Sequence, residues 1–100
     1  MNDRLVGLLG LGVRAGQVVI GVTSVRARLQ QGRLAVGVRA ADASPRTREK
    51  VERLAQARGV PVLAGPSAAR LGAQLGRPPV QAVGTGDRAL ARGLQRLSEE

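Results

Sequence analysis

The side chains that ordinarily carry catalysis are scarce in this 100-residue chain. Histidine and cysteine are absent, which removes the commonest general base, the thiolate nucleophile and two frequent metal ligands. Short of the last three residues, only Asp3, Asp42, Glu49, Glu52 and Asp87 offer carboxylates. Glu49 stands four residues before Arg53, the spacing of a helix-surface ion pair. Asp42 and Asp87 stand just before or at helix starts, where an acid complements the dipole. GLGVRAG, residues 10–16, lacks the G-x-G-x-x-G spacing of a dinucleotide loop, and the sole lysine, Lys50, belongs to no GK[ST] phosphate loop. These residues predict no enzyme, no metal site and no cofactor. Base-stacking platforms are excluded as well, because the chain has no Phe, Tyr or Trp.

Arginine is what remains. Sixteen basic residues, fifteen of them Arg, oppose seven acidic ones and leave a net charge of +9. Nine cations against three acids fall in residues 1–50, and seven against four in residues 51–100, so the excess leans toward the first half. Such a surplus favours a polyanionic partner, RNA or DNA. The base composition of a genome can explain Arg in place of Lys, but not the net charge. The most pointed stretch is GVTSVRARLQQG, residues 21–32, where small residues lead into a short helix that a glycine closes. Val25 and Leu29 face inward at i, i+4, and Arg26 and Arg28 lie on other faces with no acid to answer them.

The elements that must position these arginines alternate along the chain. Leu5, Leu8, Leu9 and Gly12 mark a helix over 3–15 with Gly16 as its C-cap. Residues 17–21 form a short β-branched run, and residues 34–41 a longer apolar run of the kind covered on both faces. Ser44 caps a helix with Pro45 in its first turn and Val51, Leu54 and Ala55 on its buried stripe, until Gly59 ends it. Residues 60–65 read as a strand. Ser67 caps a short helix ending near Gly76, residues 79–84 read as a strand, and Ala89, Leu90, Leu94 and Leu97 mark a helix over 86–97. The last three residues, 98–100, are expected to fray. The alternation predicts one α/β domain spanning residues 1–100, with helices on both sides of a small sheet. Neither an 18-residue apolar run nor a signal-type leader appears, so a cytoplasmic protein without membrane attachment is expected. With no apolar stripe left over, monomer is the default.

Several segments together resemble one known family. LLGLGVRAGQVVIG, then Gly32, AVGVRAADASP, GVPVLAG and SAARLGAQLGRPP follow the order and spacing of the kink-turn RNA-binding ribosomal proteins of the L-seven-Ae and L-thirty-e type. The likeness covers residues 5 to 97 and is greatest to small bacterial members. It implies a three-layer α/β/α sandwich around a four-stranded mixed sheet, and a non-catalytic protein that stabilises a sharply bent RNA internal loop. Structured RNA of the kink-turn or ribosomal kind, and through it the ribosome, are the partners it implies. The grip it implies maps onto residues 21–28, 41–48 and 76–80. On that mapping Gly21 and Val22 let the backbone approach the RNA, and Thr23 and Ser24 serve as cap or reach base edges. Arg26, Arg28 and Arg14 face phosphates, and Ser44 and Arg48 belong to the second segment. Arg77 with Pro78 forms a stiff loop with one cation, and Val80 packs on an unstacked nucleotide. The match departs from archaeal and eukaryotic members, which carry Asn and Glu where this chain has Thr23 and Ser24. Ala27 replaces a common lysine, and Gln17 stands where bacterial relatives often have Lys. Those departures keep two other roles open: a protein-interaction module on the same fold, and an accessory domain beside an RNA-modifying enzyme.

Overall fold

Five helices and four strands alternate along residues 3–99, the residues described in the computed structural model. They are α1 (Asp3–Arg14), β1 (Val18–Ile20), α2 (Val22–Gln30), β2 (Val36–Arg39), α3 (Pro45–Ala57), β3 (Val62–Ala64), α4 (Ala68–Gln74), β4 (Ala82–Thr85) and α5 (Arg88–Ser98). Glycine sets most of the boundaries. Gly16, Gly32, Gly59 and Gly76, all with φ near +70°, follow α1, α2, α3 and α4. In each case the next amide closes back onto the helix: Gln17 N–H to the Gly12 carbonyl, Arg33 to Arg28, Val60 to Ala55 and Arg77 to Gly72. Helix starts are set by side chains. Ser44, Ser67 and Asp87 accept from the amides of Thr47, Arg70 and Leu90 at the starts of α3, α4 and α5.

The sheet runs β1-β4-β2-β3, antiparallel at β1–β4 and β4–β2 and parallel at β2–β3. Period-2 alternation feeds two cores. Val36, Val38 and Val83 face Leu5 and Leu9 of α1, Leu71 of α4 and Leu90, Ala91 and Leu94 of α5. On the other side, Ala82 meets Val25 and Leu29 of α2 and Val51 and Ala55 of α3. The result is a three-layer α/β/α sandwich around a four-stranded mixed sheet. Gly37 of β2 pairs with Gly84 of β4. A side chain on Gly84 would stand 2.8 Å from Leu34, so the glycine there makes room for that leucine beneath α2 and α3.

Several boundaries are tighter than the apolar runs suggested. Only Val36–Arg39 of residues 34–41 forms the strand; Ala40 still donates to Gln81, opposite it in the β4 register, and Ala41 turns away to Pro66. The last strand begins at Ala82, since Pro78 and Pro79 lack the amides a ladder needs. On α5 the inward small residue is Ala91, and Ala89 faces out. That helix continues through Ser98 to a cap at Glu99, two of the three residues expected to fray; Glu100 lies outside the described residues.

Candidate nucleic-acid interface

Strand pairing places the C-terminal ends of β1, β2 and β3 and the N-terminal end of β4 at one end of the sheet. Four connections meet on this rim: residues 20–24 into α2, residues 40–44 into α3, residues 65–67 into α4 and residues 80–81 into β4. Backbone bonds lace them together. Gly21 N–H donates to the Ala82 carbonyl at 2.8 Å, Ala40 N–H to Gln81 at 2.8 Å and Ala41 N–H to Pro66 at 2.8 Å. The Gln81 side chain accepts from the Ser44 amide at 3.4 Å. Asp42 Oδ1 accepts from the Ala68 amide at 2.7 Å, so this acid complements the start of α4 instead of the helix that follows it in sequence.

Helix α2 opens differently from α3, α4 and α5. Its N-cap is Gly21, at φ 101° and ψ 151°, with no side-chain cap. Thr23 and Ser24, read above as possible caps, lie inside the first turn, past the N-cap position, and neither caps the helix. The first intrahelical bond is Val25 N–H to the Gly21 carbonyl at 3.0 Å. The amides of Val22, Thr23 and Ser24 therefore point at the rim with no described acceptor, and no acid sits in that turn. Such a helix start attracts an anionic oxygen. Above it, Thr23 and Ser24 are exposed, and across the rim Arg48 is exposed in the first turns of α3. Ser44 is committed to capping: its hydroxyl accepts from the Thr47 amide at 3.1 Å and donates to the Thr47 hydroxyl at 3.0 Å.

Residues 3–93 match the model of the Ribosomal protein L7Ae/L30e/S12e/Gadd45 family. The chain belongs to that family. A solved structure of a Bacillus halodurans C protein of unknown function superposes with a TM-score of 0.91 at 27% identity, covering 96% of this chain and 97% of that one. A Giardia lamblia 15.5kD RNA binding protein superposes with a TM-score of 0.80 at 20% identity, covering 95% and 82% of the two chains. No curated protein matches by sequence.

Within this L7Ae-type frame the expected site residues separate into two sets. Gly21, Val22, Thr23, Ser24, Ser44 and Arg48 come together at the rim. Arg28 lies one turn below Ser24 on the same side of α2 and is exposed. Arg26 sits about 200° from Arg28 around the helix axis, on the side that meets α3, and it is half-buried there. Val80 belongs to the core at 7% exposure, so its side chain cannot pack on a nucleotide. Arg14 ends α1 at the opposite end of the sheet, beside the start of β1. Residues 77–80 run back along α4: the Arg77 amide closes its C-terminus and the Val80 amide reaches Ala68 at its start. The seven residues of α4 thus hold Arg77 about 10 Å from the rim. Pro78 is fixed with its carbonyl against Gly72, where a side chain would meet it at 2.1 Å. Gln17 also stands at the far end, donating to Asp87 at 3.1 Å. Sequence reasoning passed over Gln81, whose side chain and carbonyl join two rim segments; no local pattern marks a residue whose partners lie 37 and 41 positions away.

Proposed function

We propose that this protein is a non-catalytic RNA-binding protein that seats a sharply bent internal loop on the rim around the start of α2. The observation that carries the reading is the uncapped, acid-free N-terminus of α2, whose three free amides stand beside the exposed Thr23 and Ser24. Membership of the L7Ae/L30e/S12e/Gadd45 family and the fold shared with an RNA binding protein support it. The amides of residues 22–24 take phosphate or base-edge oxygens, the two hydroxyls bond base edges, and Arg28 and Arg48 neutralise flanking phosphates. An RNA that samples straight and bent forms is shifted toward the bent one because only that form brings its phosphates onto the rim. A ribosomal RNA target, a kink-turn motif, a cytoplasmic setting and a monomeric state belong to the same proposal. Among the described residues no helix is long and apolar enough to cross a membrane.

The test is a titration of two labelled RNAs, a kink-turn and the same duplex without its internal loop, over a range of salt. Engagement of about four phosphates gives a log–log salt slope of roughly −3 to −4. Preference for the loop, reduced by Arg28→Gln and Arg48→Gln, is the expected result. Equal binding of both RNAs would refute loop recognition, and retention of a protein partner with no RNA binding would favour the interaction-module role.

A further inference from the structure

A groove of about 500 Å³ runs between α2 and α3, away from the rim contacts described above. Its α3 wall carries Arg46, Lys50 and Arg53 at i, i+4 and i+7, a cationic stripe along one face of the helix. Arg26 faces them from α2, and Leu54 lies on the floor. The one acid in the lining, Glu49, is bonded to Arg53 at 2.9 Å. Arg26, Arg46 and Lys50 have no carboxylate partner among the described residues. The Nε of Arg26 is buried with no hydrogen-bond partner. Buried polar atoms in folded proteins nearly always have one, so this donor is uncommitted within the protein and can serve an acceptor once the side chain turns into the groove. Both helices follow strands that end at the rim, so the groove opens there, with Arg46 two residues from the Ser44 cap.

We propose that this groove is a phosphate track carrying one RNA strand away from the rim. Arg46, nearest the rim, takes the first phosphate, and Lys50 and Arg26 take the next from opposite walls. The Nε edge of Arg26 gains the acceptor it lacks, and sugars lie over Leu54. A guanidinium presents two parallel N–H groups to a phosphate, which suits the residue that must reach across. The track rests on the RNA-binding reading but not on loop recognition.

The test uses the full chain and the same two RNAs, with the salt slope as readout. The variants are Arg26→Gln/Arg46→Gln/Lys50→Gln, the exposed pair Arg46→Gln/Lys50→Gln in case loss of Arg26 perturbs folding, and a charge-matched Arg88→Gln/Arg92→Gln/Arg96→Gln control on α5. The expected result is a slope shallower by about 0.9 per groove phosphate no longer neutralised, on loop RNA and plain duplex alike. The control keeps its slope, and the ratio of loop to duplex affinity is unchanged. Unchanged slopes in both groove variants, or an equal loss in the control, would overturn the track. A loop-to-duplex ratio of one in the unmutated protein refutes the rim reading alone, and the groove is still judged on the duplex.

Discussion

Replacing Gly21 with alanine separates backbone conformation from crowding. Nothing lies within 4 Å of a Cβ placed on Gly21, so the substitution meets no neighbour. The whole cost lies in φ 101° and ψ 151°, a region that only glycine occupies without strain. Holding alanine there costs about 1–3 kcal/mol. Relaxing it instead rotates the peptide that donates to the Ala82 carbonyl at 2.8 Å, and a lost hydrogen bond of that kind costs about 1 kcal/mol. The two routes bracket a loss of about 1–3 kcal/mol. For a domain of this size each kcal/mol lowers the melting temperature by about 4–8 °C, so a fall of roughly 4 to 24 °C is expected. With no Trp or Tyr to fluoresce, unfolding is followed by far-UV circular dichroism in urea and on heating. The same change re-aims the amides of residues 22–24, so RNA affinity falls further than the folded fraction accounts for. A Gly21→Ala variant as stable as the original would refute the claim that the turn needs glycine. Equal stability loss with full RNA binding would refute the role of the amides.

Three further outcomes follow from the packing. Gly72→Ala sets a methyl 2.1 Å from the Pro78 carbonyl and 2.9 Å from that of Arg77, both backbone, so residues 76–81 must lift; hydrogen exchange at the Val80 amide should accelerate, and unchanged protection would contradict the contact. Leu29→Ala empties a fully buried position between α2 and the sheet and should cost about 2–5 kcal/mol in urea unfolding, far above the cost of a surface change. Asp42→Ala removes the acceptor for the Ala68 amide and should cost about 0.5–2 kcal/mol; Asp42→Asn, which keeps an oxygen there, should recover most of it, and no difference between the two would argue against capping.

What the chain declares locally and what it does not divide along sequence distance. The glycines that end α1 to α4 and the Ser44, Ser67 and Asp87 caps act within a few residues of themselves, so pattern reading finds them. The buried pair Val25 and Leu29 is legible for the same reason. Asp42 looks equally local yet serves a helix 26 residues on, because the turn after β2 lies against the start of α4 only once β2 and β3 pair. Val80 reads as the second residue of a strand over 79–84 with its side chain open to a nucleotide, but the return of residues 77–80 along α4, which Gly72 permits, carries it into the core. Arg26 and Arg28 look equivalent as a pair; two positions of helix rotation send one toward α3 and leave the other open. In each case the deciding contact spans elements, and single-element periodicity carries no information about it.

The first turn of α2 joins these points into one account of selectivity. An acid near a helix N-terminus contributes about 0.3–1 kcal/mol by opposing the dipole, and it also offers an oxygen to a base-edge donor. With Ser24 in that turn and no acid elsewhere in it, α2 forgoes the stabilisation and keeps the positive end of its dipole uncompensated. The same exchange weakens base reading, since a hydroxyl accepts less strongly than a carboxylate, and strengthens attraction for phosphate. Arg46, Lys50 and Arg53, lined up on α3, push in the same direction. On the proposed reading, discrimination rests on which RNA can also place its phosphates on the rim, while the groove holds bent and straight backbones alike. On that proposal a bent backbone satisfies both surfaces and a straight one only the groove, so shape would select where base-reading side chains are missing.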